Sequence, residues 1–292
     1  MSLLSLPEIR ADGRLAAAQF ELRPDALERW EPEIRAATGD DAATISIYDA
    51  IGENWEGSGA TAKRISSALR NIGARDVTVN INSPGGDFFE GVAIYNLLRE
   101  HKAKVVVNVM GLAASAASVI AMAGDEIRMG DGAFLMIHNA WGVAVGNRHD
   151  MINAAAVLEP FDGAMAKLYA QRTGMTESEA AALMDKETWI GASQALADGF
   201  ATGRLDQAQQ SKNTQMSTSR KALALIEASM ARAGYTRAQR REAIKALYDG
   251  RDGRDGHDGH DGKPGAAGYP ATPGAGDAVA ASLRNLLNTI EG

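Results

Sequence analysis

Between Lys104 and Asp125 the chain runs through VVVNVMGLAASAASVIAMAG without a single charge. The β-branched first part, AKVVVNVMG over 103–111, reads as a strand buried on both faces, and the alanine-rich AASAASVIAMAG reads as a helix closed by Gly124. A strand covered on both sides needs helices above and below it, so the run selects an α/β architecture with a mainly parallel sheet. Its surroundings agree. ATISIYDAI (43–51) and DVTVNIN (76–82) read as strands, while 59–73 and 88–101 carry apolar residues at helical spacing. EIRMGDGAFLMIHNA gives two short strands around a turn, and helices follow over 149–173 and 176–186. A short helix is expected around 25–37 in the otherwise mixed segment 1–43.

Past residue 205 the pattern changes. A polar linker (206–219) precedes a segment over 220–248 that reads as two helices parted at Gly234, with seven Lys/Arg against two Glu. Glycine then recurs at every third position from 250 to 270, inside a Gly-rich stretch spanning 249–276. With sparse proline and abundant aspartate it reads as a flexible spacer, and His257 and His260 as solvated linker residues rather than metal ligands. An amphipathic helix over 277–292 ends the chain. The formal net charge of −7 argues against general nucleic-acid binding. No run of about 18 apolar residues suggests a membrane span. The acidic, proline-broken start is unlike a signal peptide. Zero cysteines leave no disulfide and no thiol nucleophile, and fit a cytoplasmic setting.

Two serines, Ser115 and Ser118, interrupt the uncharged run. Small residues at the start of a buried helix commonly permit close packing on a sheet. A serine directly after a strand, in the first turn of a helix, also sits where free N–H groups and the helix dipole favour developing negative charge. The geometry resembles a nucleophile elbow without the G-x-S-x-G string. A serine hydroxyl needs a base, and FLMIHNA supplies His138 at a strand end. INSPGG adds a strand ending in a turn whose backbone N–H groups are available to an oxyanion.

INSPGGDFFEGVAIYNLL, GLAASAAS, FLMIH and ETWIGASQALADGF occur in the order and spacing of the ClpP-type serine peptidases, the caseinolytic protease family. Over residues 44–205 the chain resembles that family, and phage head-maturation-protease-like members in particular. The resemblance implies a ClpP/crotonase-like repeated β-β-α superhelix. It implies Ser115 as nucleophile, His138 as general base, and the Gly86 and Ala116 amides as oxyanion donors. The third triad position falls on Glu187, in DKETWI where the family usually has aspartate; Asp185 is the alternative. Substrate peptide would bind by strand addition. NAWGVAVGN (139–147) replaces the usual proline-containing stretch after the histidine, and Trp141 is either a pocket wall or a packing residue. Pro160 and Gly163 interrupt the expected handle helix.

No metal or organic cofactor is implied. The expected partners are a peptide or protein substrate, including phage coat or scaffold protein processed in a procapsid, and copies of the chain in a homo-oligomeric ring; the need for an ATPase stays open. The alternatives are a crotonase-type acyl-CoA enzyme, an inert scaffold protein on the same fold, and a Ser–Lys peptidase.

Overall fold

The computed structural model describes residues 19–20, 22–32, 34–36, 43–53, 59–205, 210–212 and 217–252. The N-terminal part supplies β1 (Gln19–Phe20), α1 (Pro24–Arg29) and β2 (Ile34–Ala36). The helix expected over 25–37 is therefore a helix of six residues followed by a strand. Pro24 pre-sets its first turn, and Trp30 ends it in an extended conformation because its ring is drawn into the protein interior.

The repeating core comprises β3 (Thr44–Ile47), α2 (Ala62–Ile72), β4 (Val77–Ser83), α3 (Phe88–Arg99), β5 (Val105–Ala114), α4 (Ala116–Ala121), β6 (Glu126–Met129) and β7 (Phe134–Ile137). Thr61 caps α2, accepting from the Arg64 amide, and Asp87 caps α3, accepting from the Phe89 and Glu90 amides. β8 (Gly142–Val143), α5 (Arg148–Thr173), α6 (Glu177–Asp185), β9 (Thr188–Gly191), α7 (Ala192–Ala197), β10 (Gly203–Arg204) and β11 (Gln210–Lys212) follow. α8 (Ser217–Arg232) and α9 (Arg237–Asp252) are the two helices expected on either side of Gly234.

The seven-stranded sheet has the path β10-β6-β5-β4-β3, every pair parallel. β5 is longer than the sequence reading gave it, because the chain stays extended through Ala114 rather than turning helical near 111. Its first half pairs with β4 and β6. Its last three residues pair with β7, which in turn pairs antiparallel with β9. Register is locked inside the sheet by Asn80 and Asn108, directly opposite each other and joined by a 2.9 Å side-chain hydrogen bond. The main core lies between this sheet and α2, α3, α4, α5 and α6.

α5 continues through Pro160 and Gly163, which corrects the expected interruption. A proline there removes one backbone hydrogen bond, and the freed carbonyl lies on a largely exposed turn open to solvent. The next turns are held by the buried Phe161, Ala164, Met165, Leu168 and Tyr169. The chain divides into two compact units, Met1–Arg232 and Ala233–Gly292, so the boundary falls between α8 and α9. α9 reaches Asp252, into the start of the Gly-rich stretch; the rest of that stretch, with His257 and His260, and the helix expected over 277–292 lie outside the described residues. Among the described residues no helix is long and apolar enough to cross a membrane.

A second, smaller apolar cluster joins Ala26, Leu27 and Trp30 to Leu112, Ala114, Met136 and Ala228. Asn82 ties the two parts together. It is fully buried, its amide donates to the Glu31 carbonyl at 2.7 Å, and its Oδ1 accepts from the Leu112 amide at 3.1 Å. Replacing Asn82 by Ala leaves a buried N–H and a carbonyl without these partners. The expected loss is about 2 kcal/mol of folding stability, read as a lower urea midpoint.

Candidate active site

β5 stops at Ser115, whose backbone has φ 55 and ψ −124, a conformation side-chain-bearing residues seldom adopt. The kink lets the chain pass from a fully buried strand into α4 within one residue and leaves the serine only half-buried. Neighbouring elements hold it there. The Ser115 amide donates to the Met136 carbonyl of β7 at 2.9 Å. Its carbonyl accepts from the Ser118 amide at 2.9 Å and from the Ser118 hydroxyl at 2.6 Å. Ser118, fully buried, also shares a hydrogen bond of 2.8 Å with the Tyr169 hydroxyl. The two serines of the uncharged run thus differ: Ser118 is fully bonded structure, while the Ser115 hydroxyl has no hydrogen-bond partner among the described residues.

The turn after β4 closes the other side. Gly85 has φ 92, and a Cβ there would stand 2.6 Å from the Ala114 carbonyl oxygen, 2.7 Å from the Ser115 Cβ and 3.3 Å from the Ala116 nitrogen. Gly86 has φ 144, and a Cβ there would lie 2.2 Å from the Ile51 carbonyl oxygen. Only glycines fit this double approach. Ser83 secures the turn, its hydroxyl donating to the Asp49 carbonyl at 2.6 Å and accepting from the Gly85 amide at 3.2 Å.

The bridge between Ile51 and Gly86 uses the Gly85 carbonyl (2.7 Å) and the Asp87 amide (3.0 Å). In that parallel pattern the Gly86 N–H faces away from Ile51 and has no partner among the described residues. The Ala116 N–H, first in α4, has no intrahelical acceptor. The structure thus packs Gly85, next to Gly86, against Ser115 and Ala116.

His138 follows β7 directly and is 6% exposed. Its Nε2 is buried with no hydrogen-bond partner among the described residues, so it is not bonded to the Ser115 hydroxyl. The His138 pKa is pushed down to about 4, first by burial and second by the nearby Arg23 cation, against smaller upward effects from a backbone hydrogen bond at Asn139 and from Asp25.

β9 pairs Thr188 with Ile137, and one further step in this antiparallel register sets Glu187 opposite His138. Glu187 has φ 50; it and Ser115 are the two non-glycine residues with positive φ among those described. Yet its carboxylate turns to the Arg23 guanidinium rather than to the imidazole. Asp185 accepts from the Asn139 side chain at 2.7 Å and so supports the loop after His138. Asp162 supports the next residue, accepting from the Ala140 amide at 2.5 Å. Trp141 is partly buried, with the Arg23 guanidinium 6.0 Å from its ring centre. Arg23 is the participant that sequence reasoning missed: nothing around it marks an arginine 164 positions before Glu187 as its partner.

This arrangement presents a half-exposed hydroxyl at the start of α4, against a tight glycine turn, with a buried imidazole just after the strand whose Met136 carbonyl holds the serine amide. A family model described as Clp protease matches residues 40–207, more than half of the chain. The chain belongs to the Clp protease family. It is 32% identical over 143 residues to an ATP-dependent Clp protease proteolytic subunit 2 of Rhodococcus jostii, covering 48% of this chain and 73% of that one. To the corresponding subunit of Pleurastrum terricola it is 31% identical, covering 47% and 73%. Among solved structures, a ClpP1 mutant from Listeria monocytogenes aligns over 57% of this chain and 92% of that one, with 23% identity and a TM-score of 0.49. As a member of this family the chain is a serine-type endopeptidase on an α/β fold with a mostly parallel sheet.

The depressed pKa of His138 fixes a sign. Between about pH 4 and its unfolded value of about 6.5 the unfolded chain binds more protons at this residue, so folding stability rises with pH there. The contribution is complete above that window and lost as pH falls toward 4. Its size is on the order of 3 kcal/mol. An NMR titration of His138 should show a midpoint near 4; a midpoint at the ordinary imidazole value would contradict the buried placement.

Proposed function

We propose that Ser115, His138 and Glu187 form the catalytic triad of this endopeptidase and that the Gly86 and Ala116 amides form its oxyanion hole. The observation that carries the reading is a strained, half-exposed serine at the carboxyl end of a parallel sheet, with the glycine turn after β4 packed directly against it. In the reaction, His138 takes the hydroxyl proton at Nε2 as the Ser115 oxygen attacks the peptide carbonyl. The developing oxyanion accepts from Gly86 and Ala116, where preformed donors need no reorganisation. His138 then gives its proton to the departing amine, and water resolves the acyl-enzyme by the same relay in reverse. Glu187, once free of Arg23, would hold the Nδ1–H and fix the tautomer. Asp185 is the competing candidate for that role, and its bond to Asn139 supports a loop-bracing part instead. Membership of the Clp protease family sets aside the acyl-CoA alternative.

The finer setting belongs to the same proposal. The chain works as a homo-oligomeric ring in the cytoplasm on peptide or protein substrates, with or without an ATPase. The basic segment over 220–248 and the Gly-rich stretch over 249–276 support a role in phage procapsid maturation, because they offer a charged, extensible appendage for coat or scaffold protein. The domain division runs with it: an N-terminal segment (1–43), a peptidase domain (44–205), and the linker, helical, Gly-rich and terminal parts beyond.

Ser115→Ala should lower kcat on a peptide substrate by about 10⁴-fold or more and abolish labelling by a fluorophosphonate probe. Glu187→Gln should cost about 10²-fold or more in kcat, and Asp185→Asn less than about tenfold. The reverse order would move the orienting role to Asp185. Undiminished labelling of Ser115→Ala would end the triad assignment altogether.

A further inference from the structure

Residues 19–20 and 22–25 of the N-terminal segment meet the loop after His138 and Glu187, with contacts that a substrate would use. β1 adds antiparallel to β8, pairing Gln19 with Val143 and Phe20 with Gly142, in the loop that follows His138. Strand addition is how an extended peptide gains main-chain affinity on an exposed strand. Three residues on, Arg23 enters the site. Its guanidinium bonds the Glu187 carboxylate, its Nε donates to Asp25 at 3.2 Å, and it lies 6.0 Å from the centre of the Trp141 ring. The segment is fastened from behind. Ala26, Leu27 and Trp30 are fully buried, and the Trp30 Nε1 donates to the Asn82 carbonyl at 3.0 Å. The Arg29 guanidinium stands 4.4 Å from the centre of the Trp189 ring on β9, and Lys221 of α8 donates to the Glu28 carbonyl at 2.6 Å.

We propose that this segment is a resident competitor for the peptide cleft of its own chain, and that Arg23 occupies a seat, made by Glu187 and Trp141, that otherwise receives a basic side chain of an incoming extended peptide. The inference rests on the peptidase reading above and adds an occupant and a ligand class to that site.

Two features make the occupancy reversible. The Glu187 side chain is 44% exposed, so its ion pair with Arg23 is a weak, screened one. The firm anchors lie behind Arg23, at Ala26, Leu27 and Trp30, so the arginine can leave the seat while α1 stays docked. The occupied state is catalytically idle for a stated reason: Glu187 is bonded away from the imidazole, and an adjacent cation opposes protonation of His138, the step that general-base catalysis requires.

The test compares the full-length chain with Arg23→Ala and Arg23→Lys, the lysine retaining the charge. It reads the His138 titration by NMR, the rate of fluorophosphonate labelling, and kinetics on two fluorogenic peptides that differ only in one arginine or leucine. Arg23→Ala should move the His138 midpoint upward, label about fivefold faster, and lower KM for the arginine peptide by about fivefold more than for the leucine peptide. Arg23→Lys should stay near the parent chain. A serine that labels at the same rate in Arg23→Ala, with an unmoved His138 midpoint, overturns the inference. A midpoint that moves while no variant labels or cleaves counts against the peptidase reading and leaves the Arg23 seat standing.

Discussion

The way β5 ends governs the rest of the molecule. Its residues 106–109 sit between two parallel neighbours, and its last three residues turn to pair with β7, so one strand belongs to both parts of the sheet. At its end the backbone twists through Ser115 with positive φ, a conformation costing on the order of 1–3 kcal/mol that persists only where the surroundings over-determine it. Here they do. The Ser115 amide is held by β7, its carbonyl by Ser118, and the Gly85–Gly86 turn presses against it from β4. The strain is the means by which a hydroxyl emerges half-exposed at the sheet's carboxyl edge.

Strain recurs once more, at Glu187, where α6 passes into β9. The antiparallel pairing of β9 with β7, ending at Thr188 opposite Ile137, brings the backbone of Glu187 beside that of His138 through strand register rather than through sequence spacing. What the carboxylate bonds there is a separate matter. With Arg23 present it serves the arginine, and the imidazole is left buried, neutral and weakly basic.

Much of this was open to a reader of the residues. The uncharged run over 105–124 demanded burial on both faces, and SPGG, Ser115 and MIH each carried a local chemical reason. Other features were not legible. Pro160 seemed to break a helix, yet the apolar residues after it anchor α5, and the lost hydrogen bond falls on an exposed turn. Extended chain past residue 111 is a consequence of β7 pairing, which no window of 103–114 displays. A helix over 25–37 ended early because Trp30 found a buried acceptor at Asn82, 52 positions away.

By itself the sequence determined the alternation of strands and helices, the small residues that let a turn approach a serine, and the supply of one hydroxyl, one imidazole and two acids. These depend on side-chain size, period and type, all local properties. Only the tertiary structure decided that Glu187 pairs with an arginine from the first thirty residues and that Asp185 braces Asn139. Those outcomes depend on strand register and on burial summed over distant segments, quantities that exist only once the chain has closed on itself.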